Sequence, residues 1–442
     1  MAIETSGGSG AVGPVALDPS AHGFFDRGAV DRELRRVAEI CNECRRCYNL
    51  CPSFDVLFRA LDRPDVEGEA AELPEADLAD FSDLCFGCRL CTPHCPYHPP
   101  HARGVDVPRL VLRDRASRVK NDGKPRFRER VLASADSLGR LATPIAPVVN
   151  ALQETRPVRW LMEKTLGVHR DRLLPRWADE TFLEWWRRRG GAAAPSDRAP
   201  ARDRVALFVT CSVNANSPEV GRAAVAVLEK NGCDVVVPPQ RCCGMPFLEA
   251  GDIDSARECR WDNVASLLPF VRAGYTVVAP EPTCSLTLKR EYPAAGSESE
   301  AGEVAAATLD LCEYLMRRHA AGRLATDFRR SPGRVVYQVP CHLKVQGAGF
   351  RSRDLLMLIP GSEVITVERC AAHDGTWSIK TEYFPISMKV GRPVFEAVRA
   401  EKPDRVASDC GLAGVQIRQA TGKTVKHPIQ IVAEAYGLRD EE

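Results

Sequence analysis

Two copies of one cysteine pattern constrain this chain more than any other feature of its sequence. Each copy spaces four cysteines with two, two and three intervening residues and ends in proline: Cys41-x2-Cys44-x2-Cys47-x3-Cys51-Pro52 and Cys85-x2-Cys88-x2-Cys91-x3-Cys95-Pro96. Thiolates at such short intervals hold either zinc or an iron–sulfur cluster. Zinc motifs seldom carry four cysteines in this spacing with a closing proline, and still less often twice. The pattern therefore predicts two [4Fe–4S] clusters.

The spacing is the one with which bacterial ferredoxins bind paired clusters, and it indicates how the eight ligands divide. Three cysteines of a motif wrap one cluster, and the fourth, held away by the turn before proline, reaches the other cluster. One group is therefore expected to contain Cys41, Cys44, Cys47 and Cys95, and the other Cys85, Cys88, Cys91 and Cys51. Two clusters in one small module lie close enough for electron tunnelling, so we interpret this part of the chain as an electron relay.

Length and composition describe an ordinary globular protein. The 442 residues suffice for two or three domains, with 44% hydrophobic and 27% charged residues. A net charge of +1 gives no reason to expect nucleic acid as a partner. The sequence contains no apolar stretch of about 18 residues, so no transmembrane helix is predicted. Residues 1–30 are expected to be a disordered tail, not a signal peptide. Clustered cysteines without export favour a cytoplasmic location.

Residues 31–118 are predicted to form a mostly α-helical ferredoxin-like domain, because an amphipathic helix leads from Asp31 into Cys41. The acidic insert Leu61–Asp83 is expected to be a solvated loop with a short helix. Residues 119–200 are predicted to be a basic, helical connector that ends in a flexible linker, Gly190–Pro200. The segment Trp160–Arg189 suits docking to a partner or a membrane surface, but its apolar spacing favours a connector packed on its own domains with the tryptophans in the core.

From Val205 onward, short β-rich segments alternate with helices, which predicts two α/β domains with parallel-type sheets, residues 201–325 and 326–442. Each half has three predicted strands that end at a cysteine site: Val205–Thr210, Asp234–Pro238 and Thr276–Ala279, then Val335–Val339, Glu363–Val367 and Arg405–Ser408. Successive sites lie 31 and 42 residues apart in the first half and 29 and 40 in the second. This agreement indicates an internal duplication of a three-strand unit within an α+β multidomain protein.

Cysteines just beyond the carboxyl ends of parallel strands gather at one edge of a sheet. The first half supplies Cys211, Cys242, Cys243 and Cys284, and the second supplies Cys341, Cys370 and Cys410. Cys242 and Cys243 are also the candidate catalytic residues, because adjacent accessible thiols can be nucleophiles of low pKa. The remaining cysteines, Cys233, Cys259 and Cys312, are predicted to pack as small hydrophobic residues.

Several segments carry a resemblance to a known family: Cys211-Ser-Val-Asn214, Cys242-Cys-Gly-Met-Pro246, Thr283–Pro293, Pro340-Cys-His-Leu343, Gly375-Thr-Trp377 and His427-Pro-Ile429. The second part resembles the cysteine-rich CCG domains of heterodisulfide reductase subunits of the D type. From about Ala38 onward, the chain is similar to the family of the iron–sulfur C subunit of anaerobic glycerol-3-phosphate dehydrogenase. The resemblance implies two cubane clusters, two CCG domains and electron transfer between a flavoprotein dehydrogenase, or a disulfide site, and a quinone or ferredoxin-type acceptor.

The ligand sets depart from that family at the CCG domains. In disulfide-reducing relatives each domain presents five cysteines to an unusual cluster, but here Thr287 replaces the last cysteine of the first half. The second half has Ala371, Ala372 and Ala413 where a cysteine, a glycine and a cysteine are expected. The first half keeps four thiolates, enough for one further iron–sulfur cluster or for zinc. The second keeps three, with His342, His373 and Asp374 near in sequence, and it either completes its ligand shell with another residue or is a degenerate domain.

Three functions follow as hypotheses. The favoured one is an electron-transfer subunit of an oxidoreductase complex, not a self-sufficient enzyme, that relays electrons through two [4Fe–4S] clusters. The second is a heterodisulfide or thiol reductase acting at Cys242 and Cys243. The third is a scaffold that docks a dehydrogenase to the inner face of the cell membrane through Trp160–Arg189, which would make the chain a peripheral membrane protein.

Overall fold

The computed structural model describes residues 19–123, 125–195, 203–295, 299–373 and 375–438. They form a helical module, a helical connector and two α/β domains, and the α+β multidomain class is confirmed. The module contains α1 (Arg27–Cys44), α2 (Pro52–Leu61), α3 (Glu75–Asp83), α4 (Cys91–His94) and α5 (Val107–Asn121).

Helix α1 begins before the predicted boundary of the module. The carboxylate of Asp26 caps its first turn by accepting a hydrogen bond from Ala29 N at 2.6 Å. Val30, Leu34 and Val37 then bury one apolar stripe at helical spacing. The preceding Phe24 is only 3% exposed. The expectation of a tail up to residue 30 is therefore wrong for its last residues, while residues 1–18 lie outside the described part of the chain.

The acidic insert is more ordered than predicted. It contains one 3-10 turn, Ala70–Glu72, and the helix α3. Leu73, Leu78 and Phe81 are buried in the core of the module. Because these three apolar side chains leave water, the insert is a packed part of the module and not a solvated loop.

The connector is helical, as predicted. Its described residues form the short helices α6 (Phe127–Ala133), α7 (Ala135–Ala142), α8 (Ala146–Gln153), α9 (Arg156–Leu166) and α10 (Phe182–Arg188). Trp185 and Trp186 of α10 are buried against the first α/β domain, which agrees with packing in the core. Trp160 of α9 is half exposed instead. The first part of the predicted linker is held against the first α/β domain, because Ala192 O accepts a hydrogen bond from Val237 N. Residues 196–200 of the linker lie outside the described residues.

The two α/β domains have the same topology. The first has strands β1 (Asp203–Leu207), β2 (Cys233–Val236), β3 (Thr276–Ala279) and β4 (Thr308–Asp310) in the spatial order β2-β1-β3-β4. The second has β5 (Arg334–Gln338), β6 (Glu363–Val367), β7 (Arg405–Ala407) and β8 (Val425–Lys426) in the order β6-β5-β7-β8. All pairings are parallel. Each repeated unit therefore has four strands, and the expected three-strand unit is wrong by one edge strand in each half.

Helices connect these strands and cover the sheets. The first domain contains α11 (Cys211–Ala215), α12 (Pro218–Lys230), α13 (Met245–Glu249), α14 (Ile253–Arg272), α15 (Pro282–Leu286), α16 (Tyr292–Ala294), α17 (Ser299–Ala306) and α18 (Leu311–Ala320). The second contains α19 (Cys341–Lys344), α20 (Arg351–Met357), α21 (Phe384–Glu401), α22 (Gly411–Thr421) and α23 (Pro428–Tyr436). The last helix, α23, packs on α12 across the two domains, so both sheets share one apolar core.

Candidate functional site: two cysteine-lined groups facing one cavity

The cysteines of the first α/β domain follow the carboxyl ends of its strands, as predicted. Cys211 opens α11 directly beyond β1, where the Thr210 hydroxyl accepts a hydrogen bond from Val213 N and starts the helix. Cys242 and Cys243 follow β2. Gly244 then turns the chain with a φ of 89°, and a Cβ there would lie 3.2 Å from Ala256 O. This close approach explains why glycine follows the cysteine pair.

The four thiols of this domain form a row. Cys211 neighbours Cys242, Cys242 neighbours Cys243, and the sulfur of Cys243 lies 3.5 Å from that of Cys284. Hydrogen bonds from Cys242 and Cys284 lower the pKa of Cys243, whereas hydrogen bonding to Cys211 and Cys243 raises that of Cys242. Thr287, which stands where a fifth cysteine was expected, also lies against Cys243 and begins a π-helical turn, Thr287–Glu291. Within the row, Cys243 is thus the thiol whose pKa its neighbours lower.

The second domain brings its three cysteines together in the same way. Burial and the neighbouring Cys370 and Cys410 raise the pKa of Cys341. The sulfur of Cys370 accepts a hydrogen bond from Ala372 N at 3.2 Å. Ala372 has a φ of 54°, so it occupies the backbone conformation for which the family pattern has glycine. The backbone of the cysteine pair therefore persists in the second half although one thiol of the pair does not.

The ferredoxin-type module brings cysteines of its two motifs close to one another. Cys47, Cys95 and Cys44 lie near enough to Cys41 to raise the pKa of its thiol. In the other group, Cys51 lies beside Cys85, and Cys91 lies beside both. Burial raises the pKa of Cys41 and of Cys51 to about 12, and the crowding of further thiols adds to this effect. Such a set can ionise without a large cost only when a cation or a cluster neutralises its thiolates.

The size of the cysteine groups distinguishes zinc from a cluster. Four thiolates 2.3 Å from a zinc ion lie about 3.8 Å from one another. Among the residues that the structure describes, no three cysteine sulfurs lie mutually within 4.8 Å. Both groups of the module are therefore wider than a zinc tetrahedron. Their residues fit a multi-iron cluster better than a single zinc ion.

The second motif of the module touches the second α/β domain. The thiol of Cys88 is crowded by Cys370 and Cys341, and that of Cys51 is also influenced by Cys370. Cys88 and the seven cysteines that follow strand ends in the two α/β domains line one cavity of about 510 Å³. The cysteine groups therefore form a continuous series from the module to the cavity.

Much of the remaining cavity wall is apolar and comes from the connector. It includes Val131, Leu138, Val149, Leu152, Met162 and Leu166. Beside it, the outer faces of the same helices expose Phe127, Leu141, Ile145, Val148, Trp160 and Leu161. The expectation that the connector simply packs on its own domains is thus only partly right, because α6–α9 cover a cavity on one face and leave apolar side chains in solvent on the other.

Glu281 lies between the two sets of cysteines and was not anticipated from the sequence. Its Oε1 accepts hydrogen bonds from Ser212 Oγ at 3.2 Å and Gly411 N at 3.3 Å, next to Cys211 and Cys410 respectively. Burial raises the pKa of this carboxyl to about 8. The available signal was its position directly beyond β3, where parallel sheets collect functional groups.

The two histidines near the second set have different surroundings. His342 is buried, its Nε2 lies 3.0 Å from Gly87 O and its Nδ1 2.8 Å from Thr283 Oγ1. Burial lowers its pKa to about 4, which keeps the ring neutral. His373 lines the cavity and pairs with Ser378 Oγ at 2.8 Å. Asp374 lies outside the described residues.

The three remaining cysteines are buried, as predicted for small hydrophobic residues. Two of them also make polar contacts that the sequence did not indicate. The sulfur of Cys233 lies 3.5 Å from Tyr314 Oη, and that of Cys312 lies 3.7 Å from Asp409 Oδ1. Cys259 packs behind Gly244, where it limits the space beside the cysteine pair.

Comparison with known proteins supports this architecture. The model of the citrate utilization protein B Fer4-like domain matches residues 34–121, and that of the cysteine-rich CCG domain matches residues 205–289. Lactate utilization protein A of Geobacillus thermodenitrificans is 32% identical over 47% of this chain and 87% of its own length. The B subunit of the fumarate reductase (CoM/CoB) of Methanothermobacter marburgensis is 31% identical over 50% of this chain and 42% of its own length.

A further relative matches most of the protein. The C subunit of the anaerobic glycerol-3-phosphate dehydrogenase of Escherichia coli is 30% identical over 396 residues, which are 79% of this chain and 98% of that relative. Both domain matches and the grouped cysteines support iron–sulfur cofactors. Within the described residues, no helix combines the length and the apolar character needed to cross a bilayer. The chain belongs to the family of the C subunit of anaerobic glycerol-3-phosphate dehydrogenase.

Proposed function

We propose that this chain is the electron-transfer subunit of an oxidoreductase complex, relaying electrons between a partner redox enzyme and an acceptor through two [4Fe–4S] clusters. The observation that carries the proposal is the continuous series of cysteine groups from the module to the cavity. Cys41, Cys44, Cys47 and Cys95 would hold one cluster, and Cys85, Cys88, Cys91 and Cys51 the other. When bound, each cluster supplies reversible one-electron chemistry.

The residues around the cysteines control the environment of the clusters. The module encloses the thiols in an apolar core that includes Phe54, Phe58 and Leu110, and exclusion of water from such a core tunes a cluster's potential. The row Cys211, Cys242, Cys243 and Cys284 would hold a third iron–sulfur centre, because its four thiols lie at the carboxyl ends of parallel strands. A flavoprotein dehydrogenase is the proposed donor, since relatives named as parts of a dehydrogenase or a reductase share this architecture.

Iron counting tests the proposal. The purified chain, reconstituted under anaerobic conditions, is expected to bind at least about eight irons and to show two interacting reduced [4Fe–4S] signals in EPR. A Cys44→Ala variant should lose one of these signals, whereas Cys233→Ala, which removes a buried thiol outside every group, should keep both. Fewer than about six irons in the wild-type chain would contradict two intact clusters.

The cavity favours a quinone as the acceptor. A quinone needs an apolar site for its isoprenoid tail and polar groups that can reach its ring oxygens, and the connector wall and Glu281 provide these in one cavity. In the cytoplasm, the exposed apolar residues of α6–α9 would let the chain bind peripherally to the inner face of the cell membrane.

Two adjacent residues of α8 give a matched test of the quinone site. Val149 lines the cavity, whereas Val148 points outward and is 57% exposed. Reduction of a short-chain menaquinone by the dithionite-reduced protein should slow on the order of tenfold or more in Val149→Trp and stay unchanged in Val148→Trp. Equal rates in the two variants would count against the cavity as the acceptor site.

A small disulfide is the other candidate substrate, because Cys243 lines the cavity and its neighbours lower the pKa of its thiol, which favours the nucleophilic thiolate form. An anaerobic assay with reduced viologen and heterodisulfide-type substrates decides between the two. Loss of turnover in Cys243→Ala, with Cys259→Ala unaffected, would support the disulfide reductase. Full turnover in Cys243→Ala would exclude it.

A further inference from the structure

We infer that His342 is a positioning residue that fixes the ferredoxin-type module against the cysteine row of the first α/β domain and so sets the rate of electron transfer between them. The inference rests on the proposed relay function. It adds a residue that holds the relay together without being a ligand.

The geometry joins three cysteine-bearing segments through one side chain. His342 follows Cys341 in α19 of the second α/β domain. Its Nε2 lies 3.0 Å from the carbonyl of Gly87, which sits between Cys85 and Cys88. Its Nδ1 lies 2.8 Å from the hydroxyl of Thr283, the residue before Cys284. The ring is 6% exposed.

The hydrogen bonds allow one tautomer. The Gly87 carbonyl can only accept, so the proton of the neutral ring must be on Nε2. Nδ1 is then an acceptor, and the Thr283 hydroxyl donates to it. A side chain that only accepts could not bond the Gly87 carbonyl. The bridge therefore has a defined direction from Thr283 through His342 to Gly87.

The loop that His342 holds has little room to move toward the cavity. Gly87 has a φ of 63°, and a Cβ on it would lie 2.9 Å from Oε1 of Glu249. The loop thus passes close to the first α/β domain, and the histidine bridge holds it there from the second. Residues that orient ligands in this way, without binding the metal themselves, typically change affinity or activity by about 10- to 100-fold when removed.

The test uses the full chain with reconstituted clusters. In His342→Ala, iron content should equal that of the wild type, reduction of the module by dithionite should be unchanged, and the subsequent electron transfer to the acceptor should slow on the order of 10- to 100-fold. The magnetic interaction between the module and any centre held by Cys211, Cys242, Cys243 and Cys284 should weaken in EPR. Thr283→Val, which removes only the Nδ1 bond, should show a smaller slowing of the same step.

His427 provides the matched control. It is buried to the same extent, 6% exposed, and its Nε2 also bonds a carbonyl beyond β3, that of Pro280, without touching the module. His427→Gln should therefore leave the transfer step unchanged. Wild-type transfer in His342→Ala and Thr283→Val, loss of iron in His342→Ala, or equal slowing in His427→Gln would each overturn the inference. A wild-type chain with too few irons would instead refute the relay function itself.

Discussion

Arg89 and Glu291 form an ion pair buried between the ferredoxin-type module and the first α/β domain. Arg89 Nη1 lies 2.5 Å from Glu291 Oε1, and the two side chains are 9% and 1% exposed. Arg109 approaches the same carboxylate at 3.7 Å. A buried pair of this kind adds little net stability compared with apolar residues of equal volume. Removal of one partner, however, leaves the other charge buried and uncompensated.

Arg89→Met is therefore expected to destabilise the folded chain by about 3–5 kcal/mol, lessened to the extent that Arg109 compensates. Chemical denaturation followed by tryptophan fluorescence measures the change, and the double variant with Glu291→Gln should recover part of the loss. Arg334→Met breaks the exposed pair with Glu363 and should cause no measurable change. Equal destabilisation by both single variants would contradict the role given to burial.

The crossed grouping of the module cysteines predicts an unusual mutational pattern. Cys95 lies in the second motif but belongs to the first group, so Cys95→Ala should perturb the same EPR signal as Cys41→Ala. Cys51→Ala should perturb the other signal, together with Cys85→Ala. If each fourth cysteine affected the signal of its own motif instead, the crossed arrangement would be wrong.

Burial of His427 predicts acid sensitivity. Its Nδ1 accepts a hydrogen bond from Ile429 N and its Nε2 donates to Pro280 O, so the ring must stay neutral, and burial lowers its pKa. Below the ordinary histidine pKa of about 6.5 the unfolded chain binds a proton that the folded chain excludes. The stability that comes from keeping His427 neutral is therefore fully present above about pH 6.5. It is lost as the pH falls from there toward the lower pKa of His427 in the folded chain.

His427→Asn keeps an acceptor for Ile429 N but cannot titrate, so its stability should fall less between pH 7 and pH 5 than that of the wild type. Thermal unfolding at several pH values measures the difference. The exposed His22 provides the control, and His22→Asn should follow the wild-type curve. Parallel curves for the wild type and His427→Asn would refute the prediction.

Two glycines in helices should respond oppositely to alanine. A Cβ on Gly221 of α12 would lie 2.4 Å from the Phe182 ring, so Gly221→Ala should overpack this contact and cost about 1–3 kcal/mol. Gly302 of α17 has no atom within 4 Å of an added Cβ, so Gly302→Ala should stabilise by about 0.5–1 kcal/mol through helix propensity. Denaturation midpoints of the two variants should move in opposite directions from that of the wild type.

Local patterns in the sequence predicted much of this fold. Strands β3 and β6 occur with the predicted bounds, Thr276–Ala279 and Glu363–Val367, because short apolar runs between turn residues are strong local signals. Strands β4 and β8 were missed because they have three and two residues, too few for any alternation to show. Their existence depends on a neighbouring strand that offers hydrogen-bonding groups.

The cysteines of the site were predictable, but its other members were not. The strands predicted from apolar runs placed Cys211, Cys284 and Cys410 at strand ends. The positions of Glu281 and His342 in the site depend on hydrogen bonds to partners far away in the sequence, such as Gly411 and Gly87. The cavity could not be predicted from the sequence either. Its apolar wall belongs to connector helices whose periodicity fits ordinary core packing equally well.

Cys88 is both a member of the second cysteine group of the module and a lining residue of the cavity. Under the proposed function, the second cluster of the module thus borders the chamber in which the acceptor is held. The final transfer would be a unimolecular event whose rate depends neither on protein concentration nor on ionic strength, unlike the encounter with a separate donor enzyme. Different donors can therefore exchange at the outer surface of the module while the terminal step inside the chain keeps a constant rate.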